Sequence, residues 1–269
     1  MGSERSKNIE QAKHTFEFFV FAPTPNEITW DPEKDRANRT KYVLALMSYW
    51  RLLNSEYVFL NTEHLEDVIN SWKKWKTLAE EKEYQERVGE WIQEYEERLK
   101  SKEKIGEIGE RFVDLSSSRI GLPIYFSFIL EYEAEPNWGA IIYDFRKLLS
   151  VLAPVKVGIF HLPKWFRTSK LYDPESVKTG KIGWEDKILD SSKPDELIDD
   201  MKNELRGNVL EHPSTVYLIM LIHSLNEKRS VYGYLLWRET TGKAHSEKLA
   251  SPNDARAPAL GNYSKKRAS

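Results

Sequence analysis

The apolar positions of the chain change period several times, and each change marks an element. Phe16, Phe18, Phe19, Val20 and Phe21 form a compact aromatic run closed by Pro23 and Pro25, which reads as a short strand followed by a turn-rich loop. Asp31, Pro32 and Glu33 supply helix-start residues, and the almost continuous apolar stretch 40–53 predicts a largely buried helix. Leu65, Val68, Ile69, Trp72, Trp75, Leu78 and Ala79 recur at helical spacing with lysines between them, the mark of an amphipathic helix. Tyr84, Val88, Trp91, Ile92, Tyr95 and Leu99 keep that period through a strongly charged segment, expected to continue to about Leu115 with interruptions at Gly106 and Gly109. Its Glu, Lys and Arg residues read as a solvated face.

The pattern changes at Gly121. Segment 124–132 predicts a strand, 139–152 a helix, 155–160 a second strand, 195–205 a helix, and 215–225 a third, almost wholly apolar strand. Such alternation predicts parallel pairing, whereas the short connection before 231–237 favours an antiparallel hairpin partner at one side of the sheet. The expected fold class is α/β, with a mixed, partly parallel central sheet, flanking helices and a helix-rich N-terminal part. The expected division is a helix-rich region 1–115 with a short leading strand, an α/β core 116–240, and a disordered basic tail 241–269 that includes Lys265, Lys266 and Arg267. Segment 163–194, with its prolines and glycines, reads as a long loop of the kind that borders sites.

Composition narrows the chemistry. The 269 residues carry 40 Lys plus Arg against 42 Asp plus Glu, a net charge of −2, so attraction to nucleic acid has to come from a local basic patch. Cysteine is absent, which excludes disulfides, thiolate metal sites and cysteine nucleophiles. No window approaches the roughly eighteen apolar residues of a membrane span, and the polar start lacks a signal-peptide core, so a cytoplasmic location without membrane contact is the expectation. No Gly-rich phosphate loop, nucleophile elbow or HExxH motif is present.

The candidate chemistry lies at the end of strand 124–132. Strict alternation places Glu131, Glu133 and Glu135 on one face, and side chains two residues apart sit roughly 7 Å from one another. Glu131 and Glu133 can therefore approach one hard divalent cation, Mg²⁺ or Mn²⁺, able to activate a water for attack on a phosphodiester. Lys147, three residues after Asp144 on the following helix, is placed either to stabilise charge on a phosphate or to solvate the helix. His161 and His223 end the next two strands at the same sheet edge, with a loop histidine and a core histidine as the bland readings.

A strand ending in Glu131-Tyr132-Glu133, then a helix carrying Lys147, then an apolar strand resembles the core of the PD-(D/E)XK, or restriction-endonuclease-like, nuclease superfamily over residues 121–162. The family signature is an acidic residue, any residue, then lysine. Here glutamate occupies the last place, and some members move the lysine to the neighbouring helix, which makes Lys147 its counterpart. The resemblance implies a further metal-ligating aspartate on the preceding strand of a hairpin, for which Asp114 is the nearest candidate if its segment is extended. It also implies a glutamate from the first core helix, Glu107 or Glu110. The implied ligands are thus Glu131, Glu133 and Asp114, the catalytic set Glu131, Glu133 and Lys147, and the activity metal-dependent hydrolysis of DNA or RNA. Lys164, Arg167 and Lys170 in the long loop are the expected phosphate contacts, with Trp165 and Phe166 beside them. The alternative is a noncatalytic interaction protein built on an inactive nuclease-like core, its partner surface formed by Trp72, Trp75 and Trp91 and its natural partner a second copy of itself.

Overall fold

The computed structural model describes residues 2–22, 24–26, 28–31, 34–54, 56–60, 65–77, 82–101, 113–119, 126–135, 137–162, 165–167, 186–188, 193–208, 212–225 and 228–249. In chain order the elements are α1 (Gly2–Phe21), α2 (Arg36–Leu53), β1 (Glu56–Leu60), α3 (Leu65–Lys76), α4 (Lys82–Ser101), β2 (Leu115–Arg119), β3 (Phe126–Glu133), α5 (Trp138–Ser150), β4 (Val155–His161), β5 (Trp165–Arg167), β6 (Asp186–Ile188), α6 (Lys193–Gly207), β7 (Val216–Leu225), β8 (Lys228–Arg238) and β9 (Ala244–Leu249). A seven-stranded mixed sheet runs β1-β2-β3-β4-β7-β8-β9, parallel across β3, β4 and β7 and antiparallel at both ends, with β5 and β6 as a separate two-stranded ribbon. This is the α/β class that the alternation predicts.

Each face of the sheet is apolar and covered by helices, because a strand buried on both sides needs two cores. Residues of α1 to α4 pack with Phe128, Leu130, Val155, Val157 and Leu218 on one face. On the other, Ile141, Phe145 and Leu148 of α5 and Leu197, Ile198 and Met201 of α6 pack with Ile129, Phe160, Tyr217 and Ile219. Trp72, Trp75 and Trp91 lie in the first core, at 0%, 6% and 6% exposure, so they form no partner surface. Among the described residues no helix is long and apolar enough to cross a membrane.

Four sequence expectations are corrected. The aromatic run 16–21 is the end of helix α1, not a strand. Helical geometry sends Phe18 onto Trp50, with ring centroids 4.6 Å apart, and Phe19 towards Trp30. Phe16 meanwhile lies so close over β8 that a Cβ on Gly233 would stand 2.5 Å from its ring. The charged helix is described as far as Ser101, and Leu115, expected at its far end, opens a strand; residues 102–112, with Glu107 and Glu110, lie outside the described set. Region 1–115 is no separate unit, because β1 pairs with β2 within the central sheet. Residues 244–249, expected within a disordered tail, pair with β8 as strand β9; Lys265, Lys266 and Arg267 lie outside the described residues.

Candidate functional site

The site is built where β2, β3 and α5 meet. Leu115 pairs with Leu130 in the antiparallel β2–β3 register, so Asp114, one residue before β2, comes level with Glu131. The Asp114 carboxylate accepts a hydrogen bond from the Tyr132 backbone N–H at 2.7 Å, fixing it beside the acidic end of β3. Immediately after β3, the Asn137 side chain caps α5 by accepting from the Gly139 and Ala140 N–H groups at 2.9 and 3.4 Å. With Ile141, Phe145 and Leu148 on the sheet, Asp144 and Lys147 occupy the adjoining strip of the helix, over β3.

Lys147 Nζ lies 2.7 Å from Asp144 Oδ1 and 3.2 Å from Glu131 Oε2. Glu131 is only 1% exposed and Asp144 5%, whereas the Lys147 side chain keeps 35% of its surface in solvent. Glu131 Oε1 is buried without a hydrogen-bond partner, and so is the hydroxyl of Ser116, which stands opposite Ile129 on the same face. An orphaned carboxylate oxygen in a dry setting is costly and marks an unmet demand for a cation, a proton or water. Burial, reinforced by the charge of Asp114 and to a lesser degree Asp144, outweighs the nearby ammonium and pushes Glu131 up to about 9. For Lys147, burial works against the charged form, but the Asp144 hydrogen bond and the Glu131 charge prevail and its pKa is raised.

The expected Glu131–Glu133 pair is replaced by Glu131–Asp114. Glu133 lies on the same side of β3, but its Oε1 already takes Arg36 Nη2 at 3.1 Å and the Glu135 backbone N–H at 2.6 Å. Burial, with Asp144 nearby, raises its pKa in spite of these partners. Glu135 turns to Arg36 as well, at 3.3 Å. His161 is not part of this cluster; it sits on the opposite face, 1% exposed, its Nε2 2.9 Å from the Tyr132 hydroxyl and its ring stacked on Trp30. His223 is two strands away from Glu131 and four residues beyond its level, and burial alone lowers its pKa. Lys164 and Lys170 lie outside the described residues, and Arg167 is placed only by its backbone, which pairs with Asp186 at the end of β5.

One member escapes sequence reasoning. Asp114 is implied by the resemblance only on condition that its segment is extended, and pairing of β2 with β3 meets that condition. Asp144 was noted for its spacing from Lys147 but given no role; the 2.7 Å contact makes it the group that aims the ammonium at Glu131.

Among the described residues no group of three His, Asp or Glu side chains is arranged to hold a metal ion. The pair Asp114 and Glu131, with its orphaned oxygen, nevertheless has the donor chemistry that Mg²⁺ takes, since that ion binds through one or two carboxylates and keeps several waters. No family model, no curated protein and no solved structure matches the chain.

Proposed function

We propose that this chain is a nuclease-like protein, working in the cytoplasm, that hydrolyses phosphodiester bonds of DNA or RNA with Mg²⁺ or Mn²⁺. The observation that carries the reading is the meeting of Asp114, Glu131 and Lys147 from a strand start, the adjacent strand and the following helix, with the lysine ammonium 3.2 Å from the buried carboxylate. The roles given to these three residues come from the PD-(D/E)XK resemblance. Asp114 and Glu131 would hold the ion, which would supply Lewis acidity at the phosphate and acidify an attacking water. Lys147, more exposed than Glu131 and Asp144, neutralises charge growing on the phosphate, and Asp144 keeps its ammonium in place. The low-dielectric floor of the site strengthens both effects.

The test is cleavage by the purified chain. Single-stranded DNA, duplex DNA and RNA are each incubated with Mg²⁺ or Mn²⁺. Cleavage should stop on chelation and in Glu131→Gln and Lys147→Ala; a wild-type protein that cuts none of the three overturns the proposal. A second reading, a noncatalytic scaffold, is favoured by one observation: Lys147 already bonds two carboxylates, as a purely structural ion pair would. A divalent ion that binds the wild type but not Glu131→Gln argues against the scaffold.

A further inference from the structure

Most aromatic side chains among the described residues are buried. Among the described residues the large hydrophobic side chains left exposed are Tyr143, at 63%, and Leu152, at 70%. Tyr143 stands on α5 one turn before Lys147, and the Lys147 ammonium lies 5.5 Å from its ring centroid. Neither helix propensity nor packing explains a tyrosine there: tyrosine is a middling helix former, and its ring contributes to neither core. An exposed cation–π contact contributes only about 0.5–1 kcal/mol. What the position does offer is a flat π surface in solvent, directly beside the cation that would meet a phosphate.

We infer that Tyr143 is a stacking platform for an unpaired base, and that the substrate of this site is single-stranded nucleic acid. The inference rests on the nuclease reading for the placement of the phosphate at Lys147. A nucleoside whose phosphate contacts Lys147 has its base within reach of the neighbouring ring. In a duplex that base is already stacked and paired, so the platform favours strands whose bases are free. Stacking requires an aromatic ring and not the hydroxyl, and the high exposure of Tyr143 means that its replacement leaves the core intact.

The experiment compares Tyr143→Leu and Tyr143→Phe. Fluorescence anisotropy follows binding of a labelled oligothymidine single strand and of a duplex to the full chain carrying Glu131→Gln, in Mg²⁺, while cleavage is followed in the otherwise wild-type chain. Tyr143→Leu should weaken single-strand binding about tenfold with duplex binding unchanged, and Tyr143→Phe should match the parent. Equal losses on both substrates, or no loss on the single strand, overturn the platform, and leave the nuclease reading standing if the wild type cuts. A selective single-strand loss in a protein that cuts nothing supports the platform and overturns the nuclease reading. Absence of binding to either substrate overturns the platform, and cleavage by the wild type is judged separately.

Discussion

Two buried acid–base clusters lie on opposite faces of the same strands, and they are solved differently. On the face covered by α1 to α4, Glu56 of β1 accepts from Arg51 Nε at 2.9 Å and from the hydroxyls of Ser117 and Ser127 at 2.5 and 2.8 Å. Arg51 in turn stacks over Phe128, 4.4 Å from the ring centroid. Burial would raise the Glu56 pKa, but the Arg51 charge and these hydrogen bonds overcome it and hold the carboxyl below its usual range. On the α5 face, Glu131 has one cation, two acidic neighbours and an oxygen with no partner, and its pKa is driven the other way. The first cluster is closed upon itself and fixes the β1–β2–β3 corner; the second is left open, as a group awaiting a ligand must be.

The sharpest break between the two is in stability. Arg51→Met leaves the Glu56 charge buried and unpaired and should destabilise the chain by about 3–5 kcal/mol in urea denaturation. Lys147→Met, at a partly exposed position, should cost no more than about 1 kcal/mol; equal losses would make the two clusters alike. In cleavage the ranking reverses: Glu131→Gln should lower the rate by at least about 10²-fold. Mg²⁺ at a hundred times its dissociation constant should stabilise the wild type by about 2.7 kcal/mol in thermal melts and Glu131→Gln not at all. Asp144→Asn keeps a hydrogen-bond acceptor but loses its charge, and should reduce kcat about tenfold while retaining the Mg²⁺ stabilisation.

The gentlest contrast is in pH dependence, where the two glutamates act with opposite signs. Folded Glu131 retains its proton from its ordinary 4.5 up to about 9, so the native state binds more protons than the unfolded state and stability declines as pH rises through that window. Glu56 is held low, so its contribution is complete above its unfolded value and fades as pH falls through the lowered one. Melts between about pH 5 and pH 8 should show Glu131→Gln flattening the decline, and a profile unchanged by that substitution would remove the distinction.

Much of this was legible along the chain. Alternation in β3 separates Phe128, Leu130 and Tyr132 from Ile129, Glu131 and Glu133, and the structure sends the two sets to different cores. It fails at Ser127, whose hydroxyl joins Glu56 and Ser117 on the Phe128 side, because the β2–β3 register shifts there. The strand Leu115–Arg119 has three serines and no apolar rhythm; it is extended because β1 and β3 both pair with it. Strand β9, with polar residues outside and Ala244 and Leu249 buried, reads as tail until β8 lies beside it.

Local periodicity by itself determined the α/β class, the helix bearing Lys147 and the face of β3 on which Glu131 stands, since these depend on neighbours a few residues apart. Tertiary structure alone decided that Asp114 rather than Glu133 accompanies Glu131, that His161 belongs to the opposite core, and that Tyr143 stands exposed beside Lys147. Those outcomes depend on which strands pair and which residues arrive level with one another, and that is fixed by long-range packing of two cores on one sheet, information that no short window of sequence contains.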